Sequence, residues 1–456
     1  MDPTTAEQLA LHADLAWLIA AFALVLLMFP GLALFYGGLM GVKNTLNMMM
    51  MVLSTLGITA VLYVLFGFGL VSGPSLGGII GNPADFIGLQ DFVVDNGSAG
   101  YQNAWYNAFF ILFAAITVAI VASGAAGRMK FESWLVFATL WLVLDYFVVG
   151  HWVFNADGWL FGKVGIHDYA GGTAVHMNSG VAALALALVM GPRRGRPERP
   201  HNVPLVMLGG GILFFGWFGF NGGCAFGASF LTQVVLNNTL LAGCAGMIGF
   251  GLVERFRGGH FTTIGLITGV VAGLVGITPS ANTMTPLGAL GVGIVAGAVV
   301  AFSLSLKHKL GIDDSLDAFA VHGLGGIAGT ICIVLFAAEA APAGIKGVLF
   351  GGDPDIIWKE LVGIVATCAY SFVVTYAIAK GVDKMMGLRI EEETELAGLD
   401  LALHAESAYD LSPAGSTGMV AAGTIAALTK PVPAEPTADT ASDTAAGTRV
   451  ARVVDA

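Results

Sequence analysis

Charged side chains are scarce in this 456-residue sequence. Asp, Glu, Lys and Arg make up 11% of it, where a soluble protein carries roughly a quarter. That deficit excludes a water-soluble enzyme, a disordered scaffold and a nucleic-acid binder, because too little polar surface is available to cover a particle of this size. Cysteine is scarce as well. Cys224, Cys244, Cys332 and Cys368 fall in or beside apolar stretches with no CxxC spacing, which argues against a disulfide framework or a zinc site. The first 14 residues hold Asp2, Glu7 and Asp14 but no Lys or Arg. A cleaved signal peptide needs a basic n-region, so none is expected.

What is abundant is apolar length. The sequence is 56% apolar with a mean hydropathy of +0.79. Eleven apolar spans begin near Leu15, Leu46, Asn103, Ser133, Ala170, Val203, Val234, Thr262, Leu287, Ser315 and Ile357. Each is predicted to be a transmembrane helix, since open strand edges find no partners in hydrocarbon. The expected fold class is an all-α membrane protein of eleven helices. An odd number places the termini on opposite sides. Alternate loops collect Lys43, Arg128, Lys130, Arg193, Arg194, Arg196, Arg199, Arg255, Arg257, Lys307 and Lys309. With the C-terminal residues Lys380, Lys384, Arg389, Lys430, Arg449 and Arg452, one side holds 17 of the 20 basic residues. The positive-inside rule then puts the N-terminus outside and the C-terminus in the cytoplasm. The opposite loops are acidic, with Asp85, Asp91 and Asp95 between Ser72 and Gln102 and with Asp157, Asp353 and Asp355 beyond. Loop solubility explains that acidity, and a mild concentration of cations would follow from it.

Most of the 64 glycines sit inside the spans, where small residues let helices approach closely. Gly325 and Gly329 form a GxxxG step. The expected divisions are a short outer N-terminus at 1–13, an eleven-helix domain at 14–386, a cytoplasmic segment at 387–411 and a disordered Ala/Thr/Pro/Ser-rich tail at 412–456.

The chain echoes itself. Span five reads Asp168-Tyr-Ala-Gly-Gly-Thr-Ala-Val-His176, and span ten reads Asp317-Ala-Phe-Ala-Val-His322. Span one has Phe35-Tyr36-Gly37-Gly38, and span six has Phe220-Asn221-Gly222-Gly223. Spans 1–5 and 6–10 thus read as a pseudo-two-fold inverted repeat, which places functional groups near the midplane. An ionisable residue inside a span is expensive and is a functional candidate by default. Counted along their own spans, His176 lies roughly 9 Å deep and His322 roughly 21 Å deep from the outer end. Two imidazoles in series can relay a proton or hydrogen-bond a small polar solute. One such histidine is most simply a neutral partner for a neighbouring helix, but two at matching positions favour function. Asp168 and Asp317, shortly before them, read as helix N-caps. Asp145 is a further buried acid without an assigned role. Phe109 and Phe113 share one helix face, as do Trp217, Phe220 and Cys224. Packing explains most such aromatics, while aromatic faces also attract cations. No nucleophile, metal cluster or cofactor motif appears. A neutral or neutralised small solute fits such a path better than a hydrated ion.

These residues resemble the Amt branch of the Amt/Mep/Rh ammonium transporter superfamily. The likeness runs from about Asp14 to Asp410. It is carried by Pro30–Gly38, Lys43-Asn44, Asp168–Asn178, Gly216–Gly223, Gly276–Pro279, Asp313-Asp314, Asp317–Gly323, Gly387–Arg389, Glu391-Glu392 and Gly398–Asp400. The resemblance implies a homotrimer in the cell membrane with one pore per subunit. Phe113 and Phe220 match its phenylalanine gate, and His176 and His322 match its twin histidines. Asp168 matches the acid below the outer vestibule. Outer recruitment of ammonium would fall to Phe113, Phe154, Cys224 and Asp168, with Trp217, Phe109 and Asp317 in support. The implied activity strips a proton from ammonium and passes ammonia, the proton crossing separately. Methylammonium is a further cargo of this class. The 387–411 segment implies a PII-type signal protein as partner. Phe154 and Cys224 stand where the family often has Trp and Ser, and Gly258-Gly-His-Phe-Thr262 replaces Gly-Lys-Pro-Thr. An ammonium sensor of the same fold and an electroneutral Rh-like channel for ammonia or carbon dioxide are the alternatives. No fused signalling domain speaks for the sensor, and the 387–411 segment favours Amt over Rh.

Overall fold

The computed structural model describes residues 3–94, 104–195 and 199–409. Asp95, Arg196 and the expected tail at 412–456 lie outside the described residues. Among the described residues eleven helical spans follow one another. Helix α1 is Pro3–Leu39. Helix α2 starts as Thr45–Leu62 and runs on through a π-helical turn, Tyr63–Gly67, into Phe68–Ser72. Helix α3 is Ala104–Val121. Helix α4 joins Phe131–Trp141, a π turn at Leu142–Tyr146, and Phe147–Phe154. Helix α5 opens with a π turn, Gly172–Met177, and continues as Asn178–Met190. Then come α6 (Val203–Gly223), α7 (Phe230–Gly258), α8 (Thr263–Ile277) and α9 (Pro286–Leu310). Helix α10 joins a π turn, Phe319–Leu324, to Gly325–Phe336, and α11 is Asp355–Met386. Ten of these are long and apolar enough to cross a bilayer. Helix α8, with 15 residues, reaches only about 22 Å.

The expected starts agree within a few residues except for α1, which is helical from Pro3 rather than from near Leu15. The stretch from Thr5 to Ala10 is exposed and includes Thr5, Glu7 and Gln8, so hydropathy gave no sign of it. Outside the spans, Ser75–Leu76 and Ile80–Gly81 pair as a minimal antiparallel hairpin.

Local chemistry sets the helix ends. The Asn202 side chain accepts the Leu205 N–H at 2.9 Å and opens α6. Ser229 and Thr232 form a capping box at α7, and Thr262 accepts the Gly265 N–H at 2.9 Å to open α8. Such caps satisfy amides that have no partner within the helix. The GxxxG step works as small residues should in lipid: a Cβ at Gly329 would lie 2.1 Å from the carbonyl oxygen of Gly276 on α8.

The basic end of the bundle is laced by the segment after α11, which includes α12 (Glu392–Ala397) and α13 (Leu399–His404). Lys130 N–H donates to Leu388 O at 2.9 Å, and Ile390 N–H donates to Arg128 O at 3.0 Å. The Asp400 carboxylate accepts the Leu46 and Asn47 N–H groups at 3.0 and 2.8 Å and so caps the start of α2. Leu399 N–H donates to Asn44 Oδ1 at 2.9 Å. Stretches far apart in sequence, Lys43-Asn44 and Gly398–Asp400, therefore meet.

Beside them lies a knot of charge. Arg128, with its side chain 1% exposed, contacts Asp313 Oδ2 at 3.2 Å. It also donates to the carbonyls of Gly124, Gly191 and Asp313 at 2.7, 2.7 and 2.8 Å. Arg193 grips the same Asp313 carboxylate through Nη2 at 2.8 Å and Nε at 2.9 Å. Burial alone would raise the Asp313 carboxyl. The Arg193 hydrogen bonds and the Arg128 charge outweigh it and hold the group well below the usual carboxylate range. Burial pulls the Arg128 guanidinium down to about 10, still charged at neutral pH. Arg389 pairs with Glu395 at 2.8 Å and donates to the carbonyls of Met190 and Pro192 at 2.9 and 2.8 Å.

Candidate functional site: a column of rings through the bundle

Both echoing Ala-Val-His stretches take the same local form, a π turn at the start of a span. In α5 the wide turn is visible in the 3.0 Å bond from His176 N–H to Gly171 O, five residues back. Gly171 stands at φ 100°, a conformation open to glycine. The Asp168 carboxylate gathers the amides that this turn exposes. Oδ1 accepts from Gly171 and Gly172 at 2.9 and 2.7 Å, and Oδ2 accepts from Thr173 and Ala174 at 2.7 and 3.2 Å. This is the capping role read from sequence, carried across four amides.

At α10 the arrangement differs from that reading. It is Asp314 whose carboxylate takes the Phe319 N–H, at 2.8 Å, with the Ser123 hydroxyl donating to its other oxygen. Asp317 forms an ion pair with Lys307, and its backbone is left-handed at φ 65°. The acid nearest the histidine in sequence is thus engaged by a neighbouring helix.

The two histidine-bearing helices touch through glycine. A Cβ at Gly180 would sit 2.1 Å from the Gly323 nitrogen, so any larger residue would force α5 away from α10. This contact brings the imidazoles together directly. His176 Nδ1 and His322 Nδ1 are 3.2 Å apart, and the ring centroids lie 5.2 Å apart at 28°. One nitrogen must donate and the other accept, in an order set by the tautomers. The rings are 2% and 6% exposed. They meet side by side, closer than separate depths along two straight spans would place them.

Aromatic rings continue the column. Phe113 and Phe220 are stacked with centroids 4.0 Å apart and planes 6° apart. Phe220 lies 5.9 Å from His176, and Trp217 stacks on His176 at 5.3 Å. Trp217 is held by its Nε1–H, which donates to Thr278 Oγ1 at 3.0 Å. Phe109 is fully buried behind the pair, 4.8 Å from Phe113. Next to Phe109, Phe110 bridges Phe113 at 5.4 Å and Phe154 at 5.9 Å. The half-buried Cys224 Sγ donates to Phe220 O at 3.4 Å. Phe113, Phe154, Phe220 and Cys224 thus fall along one continuous run of contacts.

Below the stacked rings a cavity, partly open to solvent, is lined by both histidines, Tyr36, Trp217, Phe220 and Asp317 among mainly apolar side chains. Its walls are mostly apolar, so a small uncharged solute can enter where a bare ion would lose its hydration without replacement.

Sequence reading missed Phe110 and Phe226. Phe226 lies beyond the end of α6 at φ 55°. It stacks on Tyr106 at 5.9 Å and 18°, and on Phe110 at 6.4 Å and 17°. The dense run Trp105-Tyr106-Asn-Ala-Phe109-Phe110 was the available signal. Tyr36, in the cavity wall, stood inside a motif read as part of the internal echo and of the family likeness, without a site role of its own.

Comparison with known proteins agrees with this geometry. Residues 16–409 match the model of the Ammonium Transporter Family. An ammonium transporter of Corynebacterium glutamicum is 50% identical over 413 residues, covering 88% of this chain and 90% of that one. Among solved structures, one described as a Sensor Amt Protein superposes with a TM-score of 0.80 at 29% identity, over 87% of this chain and 99% of that one. Saccharomyces cerevisiae Mep2 superposes with a TM-score of 0.76 at 33% identity, over 84% of this chain and 91% of that one. With a family match across nearly all of the helical bundle and two imidazoles joined beneath a pair of stacked rings, the chain belongs to the ammonium transporter family: it is a multi-pass membrane transporter, not an enzyme.

Proposed function

We propose that the protein recruits ammonium at the end of the column bearing Phe154 and Cys224, removes a proton there, and conducts ammonia past the Phe113–Phe220 pair and along His176 and His322. The proton crosses separately, so transport carries charge. The observation that carries this reading is the direct Nδ1–Nδ1 pair, buried below the stacked rings in a mostly apolar path. Moving an intact cation through such a path is expensive, whereas ammonia needs only a few hydrogen-bond partners. Potassium has no proton to lose, so selectivity comes from chemistry rather than width.

The resemblance and the charge asymmetry support the remaining assignments. Residues 14–386 form the conducting domain, in the cell membrane, with the N-terminus outside and the basic end in the cytoplasm. Three copies assemble, one pore each. Residues 387–411 form a regulatory segment that a PII-type protein reads. Asp168 serves as the organiser of the α5 entrance, with Phe109, Trp217 and Asp317 as supports.

The test is an ammonium jump on proteoliposomes, reading charge movement and internal pH together. An inward transient current is expected. Ammonia flux without current would move the reading to an electroneutral gas channel. The likeness to a protein named a sensor favours one second reading, ammonium sensing. Binding of ammonium with neither current nor flux would establish that instead.

A further inference from the structure

One buried acid takes no part in the column. Asp145 sits in the π turn at Leu142–Tyr146, halfway along α4, and is 0% exposed. Its carboxyl faces the side chain of Asn178. Asn178 is also 0% exposed. It lies two residues past His176, where the π turn gives way to regular helix. The main chain of Asn178 is already fixed, since the Ser371 hydroxyl on α11 donates to its carbonyl at 2.9 Å. The amide side chain is not: neither its Nδ2 nor its Oδ1, nor either Asp145 oxygen, has a protein partner at hydrogen-bond geometry.

The donor and acceptor inventory decides what this facing pair is. An ionised carboxylate offers acceptors only and would set an anion against the Asn178 carbonyl oxygen. Among the described residues no basic side chain acts on Asp145, and an unpaired charge inside a span is expensive. An uncharged carboxyl offers one donor and one acceptor, which match the acceptor and donors of an amide. Buried polar groups are paired as a rule, and each of these two side chains offers what the other lacks.

We propose that Asp145 is a positioning residue for His176. Its uncharged carboxyl and the Asn178 amide form a reciprocal pair, the O–H donating to Asn178 Oδ1 and Nδ2–H donating to the Asp145 carbonyl oxygen. The pair ties the π turn of α4 to the first regular turn of α5. It thereby fixes the rotation at which α5 presents His176 to His322. The inference rests on the reading that His176 serves transport. It adds a residue whose role requires a proton to stay in place rather than to move.

The experiment uses the full chain in proteoliposomes, with current and ammonia flux measured across pH, thermal melting to verify folding, and infrared spectroscopy. Asp145→Asn keeps a reciprocal amide–amide pair, so its current should stay within about threefold of wild type with the same pH profile. Asp145→Leu leaves Asn178 unpaired and should lower the current about tenfold. The exchanged pair, Asp145→Asn with Asn178→Asp, keeps the same amide–carboxyl complement and should likewise stay within about threefold of wild type. An infrared carbonyl band of an uncharged carboxyl should be present in wild type at neutral pH and absent from Asp145→Asn. Equal loss in Asp145→Asn and Asp145→Leu, or no such band, would overturn the proposal by showing that the carboxyl must ionise. Asp145→Leu that is as active as an active wild type overturns the positioning role alone. A wild type with neither current nor flux overturns the transport reading and the positioning role together.

Discussion

The ring column and the charged knot at the basic end handle polar groups in opposite ways. Along the column the polar groups are few, and the central pair, His176 and His322, rests on one shared nitrogen contact at 3.2 Å. At the basic end Arg128, Arg193, Asp313, Arg389 and Glu395 share a dense set of charge-assisted bonds, many of them to backbone carbonyls. The difference teaches what each region is for. Charges tie loops together where water and carbonyls are at hand to solvate them. The stacked rings and the histidine pair carry no such charge network, and Asp317, at the cavity wall, is held by Lys307. The proposed path and the charged knot thus lie in different parts of one bundle.

The largest effect that would break this comparison concerns the column. Replacing His322 or His176 by alanine should reduce the ammonium-evoked current about tenfold or more, equivalent to ~1.4 kcal/mol, or abolish ammonium selectivity, with little change in melting temperature. Wild-type currents from both variants would remove the histidines from the mechanism.

Arg128→Ala should do the reverse. It removes the buried partner of Asp313 and should destabilise the fold by about 3–5 kcal/mol. Thermal melting would register the loss, while the current per folded molecule changes less. The same knot predicts an acid response. Asp313 has a depressed value in the folded state, so its stabilising contribution is complete above the ordinary aspartate value near ~4. It is lost as pH falls through the depressed value. Melting temperature in wild type should therefore drop at strongly acidic pH, and this limb should be blunted in Arg128→Ala.

A smaller loss is expected where the C-terminal segment meets α2. Asp400→Ala removes the cap on Leu46 and Asn47 and should cost about 1 kcal/mol, read as a modest fall in melting temperature and as faster amide exchange at the start of α2. The smallest change belongs to the proposed entrance. Phe154→Trp supplies a stronger cation–π face and should tighten apparent ammonium affinity by about 0.5–1 kcal/mol. An unchanged affinity would show that Phe154 does not meet the cation.

Much of this was legible beforehand, for physical reasons. Spans α2 to α11 announce themselves because lipid demands unbroken apolar length. The histidines stand out because ionisable residues are rare there, and Phe113 and Phe220 follow from the family motifs. Other features depend on contacts that no local pattern encodes. The polar first turns of α1 carry no hydropathy signal. Asp314 rather than Asp317 meets the Phe319 amide because Lys307, from another helix, engages Asp317. Asp400 capping α2 joins residues more than three hundred positions apart. Phe226 enters the aromatic cluster from a turn, where helical periodicity says nothing.

The π turns carry a last consequence, for how this chain tolerates insertion and deletion. Each winds an extra residue into one turn, so side chains beyond it are offset by about 100° from a regular helical wheel. Removing a single residue from Gly172–Met177 would hardly shorten α5. It would act as a rotation, swinging whatever follows onto another face of the helix. In these segments the length of the chain sets an angle, and the alignment of a ring with its partner is stored in the residue count.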